Sequence, residues 1–257
     1  MQEFAETCEK AARVGGAVLH AWRGRFATRE KGPSDLVTDA DLDSQRTIAA
    51  LLLSAFPDHQ FIGEEAEVSE EGLREFCWIV DPLDGTTNYV HGIPHYSTSV
   101  ALVRHKKLLV GSIYDPCRDE CFTAVAGAGA YLNGRPLNSS KVKDLRNALV
   151  SASFPANSVE AMPRIDEFLR VLPACQSLQR TGSAALNLAY VAAGRYDAYW
   201  ASDLKPWDAA AGALLVQEAG GVITDDAGNS FDVWRPKLIA AANAELHTEF
   251  HNVIRSL

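Results

Sequence analysis

The chain has 257 residues, enough for one large domain or for two tightly joined ones. Hydrophobic residues make up 47% of it and charged residues 22%, which excludes an intrinsically disordered protein and a membrane protein. The net charge of −9 argues against a protein whose main partner is nucleic acid or an anionic membrane.

The cysteines and the N-terminus favour a cytoplasmic protein. The five cysteines are an odd number scattered along the chain, unlike the disulfide framework of a small secreted domain. Glu3, Glu6 and Glu9 stand where a signal peptide would carry a basic stretch and an apolar core. No apolar run approaches the ~18 residues of a membrane-spanning helix.

The N-terminal part of the chain predicts a helix, a loop and a second helix. Apolar residues recur at helical spacing between Glu3 and Arg23. A polar stretch from Arg29 to Asp39 follows, and it predicts a loop. A second apolar stripe, from Ile48 to Phe56, predicts the second helix.

Two short apolar segments follow, and each ends in acidic residues. The segment from Gln60 to Gly63 is followed by Glu64 and Glu65, and the segment beginning at Phe76 leads into Asp81. Both predict buried strands with carboxylates at their C-terminal ends. Ligand sites in α/β sheets favour that edge.

The remaining elements predict an antiparallel sheet in the middle of the chain and an alternation of strands and helices after it. The expected strands of that sheet are 97–103, 109–114, 121–125 and 130–132, with a hairpin turn at Asn133-Gly134. From Leu145 onward, we expect strands at 149–153, 196–200, 222–224 and 237–241 and helices at 165–172, 184–193, 208–219 and the C-terminus. Neither a linker nor a repeat interrupts the chain, so we expect one unit, 1–257, whose halves are an α+β half (1–145) and an α/β half (146–257). The pattern predicts mixed sheets layered with helices.

Five pieces of sequence carry the candidate chemistry: Asp41, Glu64 with Glu65, Asp81 with Asp84, Gly85-Thr86, and Asp208. Each acid also has a purely structural interpretation, as a helix cap for Asp41 and Asp208, a solvated acid for Glu64 and Glu65, and a turn residue for Asp81. Asp81 and Asp84, however, follow a strand too apolar to be exposed. Buried carboxylates need protonation, a basic partner or a metal. No lysine or arginine lies near Asp81 in sequence, which favours a metal, although distant basic residues could pair with these acids.

The metal and the substrate class follow from ligand chemistry. Oxygen ligands alone select hard cations, so magnesium is the expected ion. The small-residue turn at Gly85-Thr86 can bring backbone N–H groups close to a phosphate. Together they indicate a phosphate monoester, hydrolysed by a water that two or more ions activate. Thr86 and Asp41 are the candidates to orient that water.

Competing motifs fail on specific residues. An aspartyl-phosphate phosphatase would need a nucleophilic aspartate where Pro82 stands, and a calcium loop starting at Asp39 would need Gly at Ser44 and Glu at Ala50. Cys117 and Cys121 lack the second ligand pair of a zinc site. His91 and His95 flank the acidic turn, where they would lie near the mouth of the site.

These residues resemble the inositol monophosphatase family, within the lithium-sensitive, magnesium-dependent sugar-phosphatase superfamily. The resemblance covers nearly the whole chain. It is carried by five segments: Asp35-Leu-Val-Thr-Asp-Ala-Asp41, Phe61-Ile-Gly-Glu-Glu65, Trp78-Ile-Val-Asp-Pro-Leu-Asp-Gly-Thr-Thr-Asn-Tyr-Val-His-Gly-Ile-Pro94, Gly182-Ser-Ala184, and Leu204-Lys-Pro-Trp-Asp208-Ala-Ala-Ala-Gly212.

The resemblance implies a role for each site residue. The ligands of two or three magnesium ions would be Glu64, Asp81, Asp84, Asp208 and the Leu83 carbonyl. Thr86 and Asp41 would activate the water beside Glu64. The Gly85 and Thr86 amides would hold phosphate. Glu65 would contact these groups without binding the metal itself. Asp84 and the segment Gly182, Ser183 and Ala184 would meet the substrate hydroxyls, and Lys31 would lie in a flexible loop over the site. The implied fold is a layered αβαβα sandwich, commonly a homodimer.

One position departs from the family pattern. Ala201 stands where the family usually has a glutamate that binds the inositol ring. Asp203 is offset by two positions, so on a strand it would face the same side and could partly substitute. The expected activity is hydrolysis of inositol 1-phosphate, with fructose 1,6-bisphosphate and histidinol phosphate as alternative substrates. A different class of function, a regulatory metal-binding protein without turnover, is the remaining alternative.

Overall fold

Two β-sheets separated by a pair of helices form the framework of the protein. The computed structural model describes residues 1–32, 35–65, 74–154 and 158–256. Within these ranges the helices are α1 (Gln2–Trp22), α2 (Asp39–Ala55), α3 (Thr86–Val90), α4 (Ser158–Val171), α5 (Ala184–Ala192), α6 (Pro206–Glu218) and α7 (Ala244–Arg255). The strands are β1 (Thr28–Gly32), β2 (Asp35–Thr38), β3 (Gln60–Gly63), β4 (Phe76–Asp84), β5 (Ser97–Arg104), β6 (Lys107–Asp115), β7 (Glu120–Val125), β8 (Gly129–Leu132), β9 (Arg135–Pro136), β10 (Leu149–Ser153), β11 (Ser177–Gln179), β12 (Ala198–Ala201), β13 (Val222–Thr224) and β14 (Leu238–Ala241).

The larger sheet has seven strands in sequence order, from β3 to β9. β3 and β4 run parallel, whereas the neighbours from β4 to β9 are antiparallel. The expected antiparallel sheet is therefore confirmed. Asn133 and Gly134 have φ angles of 48° and 77° between β8 and β9, and positive φ at both positions is what a two-residue hairpin requires.

The smaller sheet has five strands in the order β11-β10-β12-β14-β13. β10 pairs in parallel with both β11 and β12, and β14 pairs antiparallel with β12 and β13. β11 is a three-residue edge strand that the sequence pattern does not predict. The remaining strands of this sheet lie within a few residues of their predicted positions.

The helices fill three layers around the two sheets. α1 and α2 cover the outer face of the larger sheet, and α4 and α7 pack on the outer side of the smaller one. α5 and α6 lie between the sheets, where every residue from Ala184 to Ala192 is buried. A helix that is apolar all round requires such a position. The layered αβαβα sandwich is thus confirmed.

The predicted loop from Arg29 to Asp39 is wrong. This region forms β1 and β2, an antiparallel pair in which Thr28 lies opposite Thr38. Arg29 also forms an ion pair with Asp39 at 2.7 Å. β1 and β2 are only five and four residues long and mostly polar, so they carry no alternating strand signal, although Val37 and Thr38 are buried.

Two further sequence expectations concern chemistry and membranes. All five cysteines are free thiols, as their scatter along the chain predicts. No helix in the described part of the chain has the length and apolar character needed to cross a membrane.

Candidate metal centre

Three carboxylates from two distant parts of the chain meet at one end of the larger sheet. Asp81 and Asp84 belong to β4, and Asp208 lies in the first turn of α6. One oxygen atom from each of them lies within 4.8 Å of the others. Asp81 is 2% exposed and Asp84 is 6% exposed, so water does little to stabilise their negative charges.

The parallel pairing of β3 with β4 adds Glu64 to this cluster. Gly63 is in register with Val80, and the Glu64 N–H donates to the Val80 carbonyl at 3.2 Å. Glu64 therefore continues the ladder one residue beyond β3 and lies beside Asp81. Glu64 is also close enough to interact electrostatically with the other acids, because its negative charge raises the pKa of both Asp81 and Asp208.

Asp84 is held by hydrogen bonds from two elements. Its Oδ2 accepts from the Ser183 hydroxyl, from the Ala185 N–H at 3.1 Å and from the Ser97 hydroxyl at 3.3 Å. Its Oδ1 accepts from the Ala184 N–H at 3.0 Å. The first N–H groups of α5 thus orient Asp84, as the positive end of a helix favours a carboxylate.

The electrostatics of the centre are those of a cation site. Burial is the largest cause that raises the pKa of Asp81, Asp84 and Asp208. The pKa of Asp208 rises to about 8. Among the described residues, no lysine or arginine forms an ion pair with these three side chains. An all-oxygen set of acids, two buried and one half-buried, without a basic partner fits a hard divalent cation such as Mg²⁺.

Asp41 and Thr86 lie together beside the carboxylates. The Thr86 hydroxyl is 3.0 Å from the Leu83 carbonyl and 3.4 Å from Asp41 Oδ1, and either oxygen can accept its proton. Asp41 is fully buried, and burial is the largest cause that raises its pKa to about 6. Its Oδ2 accepts from the N–H of Thr38 at 2.8 Å and from the hydroxyl of Thr38 at 2.5 Å. The Leu83 carbonyl keeps a second lone pair for another ligand.

The turn after β4 brings backbone close to the cluster. Gly85 has a φ angle of 93°, and α3 begins at the next residue. A Cβ at Gly85 would lie 3.1 Å from the His95 carbonyl oxygen and 3.3 Å from the Gly182 carbonyl oxygen. Only glycine suits this conformation and this close approach. The small-residue turn at Gly85-Thr86 therefore leads directly into a helix, an arrangement in which backbone N–H groups can approach a phosphate.

The residues expected to contact the substrate occupy different environments. Gly182 is exposed, whereas Ser183 and Ala184 are buried and donate their hydrogen bonds to Asp84. Ala201 is 4% exposed and packs in the core between the two sheets. The strand argument for Asp203 is wrong, because β12 ends at Ala201 and Asp203 lies on an exposed turn with a φ angle of 60°.

The remaining predicted residues lie at the margins of the centre. Glu65 is half-buried, and its charge contributes to the raised pKa of Asp41. Lys31 is a β1 residue whose side chain lies outside the described part of the chain. His91 is exposed, and the half-buried ring of His95 packs edge-on against Tyr190.

Sequence reasoning missed the groups that hold the acids in place. Ser97 and Ser183 on Asp84 had no recognisable signal, because both residues are distant from Asp84 along the chain. Thr38 did have one. The spacing of Thr38 and Asp41 is that of a capping box, and the structure contains this capping box at the start of α2.

Comparisons with known proteins agree with this geometry. The chain matches the inositol monophosphatase family over residues 1–257. It is 40% identical to inositol monophosphatase 2 of Solanum lycopersicum, with 99% of this chain and 98% of the relative covered. It is 42% identical to Nus factor SuhB of Pseudomonas aeruginosa, with 89% and 88% covered. A solved IMPase/NADP phosphatase complexed with Mg²⁺ and phosphate superposes with a TM-score of 0.84 at 26% identity, over 94% of this chain and 91% of the other. The chain therefore belongs to the inositol monophosphatase family, a family of metal-dependent phosphatases.

Proposed function

We propose that the protein is a magnesium-dependent phosphomonoesterase that hydrolyses inositol 1-phosphate. The observation that carries this proposal is the meeting of Asp81, Asp84 and Asp208 within 4.8 Å, the first two of them buried and none with a basic partner among the described residues. The magnesium and phosphate bound to the solved relative support the same chemistry. The name of the tomato relative supports inositol phosphate as the substrate.

The acids would hold two or three magnesium ions. Glu64, Asp81, Asp84 and Asp208 would supply carboxylate oxygens, and Leu83 would supply its carbonyl. When bound, the ions supply positive charge against the phosphate and lower the pKa of a water molecule. Without them, this cluster would repel a dianionic ester, so we expect a strict requirement for metal.

The chain's own groups would orient the phosphate and the water. The Gly85 and Thr86 N–H groups would bind phosphate oxygens at the start of α3. Thr86 and Asp41 would accept and hold a proton of the attacking water, since their side chains already lie 3.4 Å apart. Glu65 would support this pair through its charge, and no covalent phosphoenzyme is required.

The choice of alcohol is the open part of the proposal. Gly182, Ser183 and Ala184 would line the sugar side of Asp84. Ala201 removes the acceptor that the family glutamate provides, and a site lacking an acceptor discriminates less strongly for a hydroxyl. Fructose 1,6-bisphosphate and histidinol phosphate are therefore the competing substrates.

Phosphate release tests both the class and the substrate. Inositol 1-phosphate, fructose 1,6-bisphosphate and histidinol phosphate are supplied at equal concentration, with and without magnesium. We expect release only with magnesium and a rate for inositol 1-phosphate at least tenfold higher, about 1.4 kcal/mol of transition-state preference. A faster rate for another ester would refute the substrate while leaving the metal chemistry intact.

A second candidate function is regulatory, and the Nus factor name of the Pseudomonas relative favours it. In that case the chain would bind metal through the same acids and act through a partner. Saturating magnesium separates the two functions. A folded, metal-bound protein that hydrolyses none of the three esters would support regulation and contradict the enzymatic proposal.

Three further properties belong to the same proposal. We expect inhibition by lithium chloride relative to sodium chloride at equal ionic strength, a homodimer in light-scattering measurements, and a cytoplasmic location. Full activity in lithium or a monomeric mass would each contradict the corresponding property without affecting the metal assignment.

A further inference from the structure

One face of α2 contacts the metal centre at three separate points. Asp41, Ser44 and Gln45 are spaced i, i+3 and i+4, so their side chains lie on the same side of the helix. Asp41 meets the Thr86 hydroxyl, and the Ser44 hydroxyl donates to the Pro82 carbonyl at 3.1 Å. Gln45 Oε1 accepts from the Glu65 N–H at 2.9 Å. These contacts reach three segments around the acids: the start of α3, the end of β4 and the turn after β3.

The Gln45 side chain also fills the space beside Gly63. A Cβ at Gly63 would lie 2.2 Å from Gln45 Oε1 and 2.7 Å from its Cδ, a separation that non-bonded atoms do not tolerate. The absence of a side chain at Gly63 therefore leaves the space that the Gln45 amide occupies. The Gln45 amide group therefore packs against Gly63 and accepts a hydrogen bond from Glu65, the residues on either side of Glu64.

Glu64 is consequently fixed at its backbone from two sides. On one side, its N–H donates to Val80 in β4. On the other, the following peptide is bound by Gln45 from α2. We propose that Gln45 is a positioning residue that holds the Glu64–Glu65 turn in the orientation required for metal binding. This inference rests on the proposed magnesium site.

The test compares two substitutions of matched length. Gln45→Met fills the space beside Gly63 but has no oxygen acceptor, whereas Gln45→Glu keeps one. Gln2→Met on the exposed surface of α1 is the control. Calorimetric titration of each metal-free protein with MgCl₂ gives the affinity. We expect Gln45→Met to bind Mg²⁺ roughly tenfold more weakly, in line with the loss of other groups that orient metal ligands. Gln45→Glu and Gln2→Met should stay close to wild type.

A second measurement does not depend on metal. Amide hydrogen exchange of the metal-free protein reports the Glu65 N–H directly, and loss of its acceptor should accelerate exchange at least about fivefold in Gln45→Met. Wild-type affinity and unchanged exchange in Gln45→Met would overturn the inference, as would equal losses in the Met and Glu variants. A wild-type protein that binds no Mg²⁺ would instead contradict the proposed function, and the exchange rate alone would then decide whether Gln45 holds the turn.

Discussion

At the scale of single residues, the centre is built from acids in which burial disfavours the ionised form, whereas hydrogen bonds from N–H groups and hydroxyls favour it. Asp84 illustrates this balance. It is 6% exposed and accepts four hydrogen bonds, yet burial still raises its pKa above the usual range. Hydrogen bonds orient the carboxylate but do not neutralise it, which leaves its charge available to a cation.

Asp84→Asn separates charge from shape at this position. Asparagine keeps a carbonyl oxygen for the Ala184 N–H but lacks the negative charge, so we expect the fold to persist and phosphate release to fall at least about 100-fold. Asp58→Asn, at an exposed aspartate, is the matched control. Circular dichroism and phosphate release measure the two effects. Near-wild-type turnover in Asp84→Asn would show that this carboxylate is not a metal ligand.

At the scale of elements, α2 connects helix capping to the site. Thr38 caps the helix by accepting from the Ala40 N–H at 3.2 Å, and it also binds the carboxylate of Asp41. The same threonine therefore stabilises the helix terminus and fixes the acid that faces Thr86. A change at this cap should alter stability and activity together.

Thr38→Val tests this coupling with little change in volume. Loss of the cap should lower the free energy of unfolding by about 1 kcal/mol, and a misoriented Asp41 should lower kcat more than it changes KM. Urea unfolding and steady-state kinetics give the two quantities. Thr248→Val, on the exposed side of α7, is the control. Lower stability with wild-type kcat would show that the Thr38 hydroxyl is not needed to orient Asp41, because the Thr38 N–H bond at 2.8 Å would then suffice.

The sequence predicted the layers and the acids because both leave local signals. Apolar periodicity marks α1, α2 and the central strands, and the acids follow apolar segments directly. The support around the acids leaves no such signal. Ser183 binds Asp84 across 99 positions of the chain, and Gln45 reaches Glu65 across 20. Such contacts depend on how elements pack, which a single sequence does not encode at any one position.

At the scale of the whole molecule, the carboxylate cluster links stability to pH and to metal. Burial raises the pKa of Asp208 to about 8, far above the value of about 3.9 for an unfolded aspartate. Between these values the folded protein binds more protons than the unfolded one. The stabilising contribution of the protonated group is therefore complete below about pH 4 and is lost as the pH rises through about 8.

Metal reverses this dependence, because it binds the ionised carboxylates. In metal-free protein we expect the urea midpoint to fall between about pH 7 and about pH 8. Magnesium should raise the urea midpoint more at the higher pH. At 100 times its Kd, the gain in the free energy of unfolding is up to about 2.7 kcal/mol. The histidines whose pKa is lowered by burial are largely neutral over this range. Asp208→Asn should therefore flatten the pH dependence. An equally steep dependence in that variant would place the titrating group elsewhere in the cluster, for example at Asp81, whose pKa is also raised by burial and by the neighbouring carboxylates.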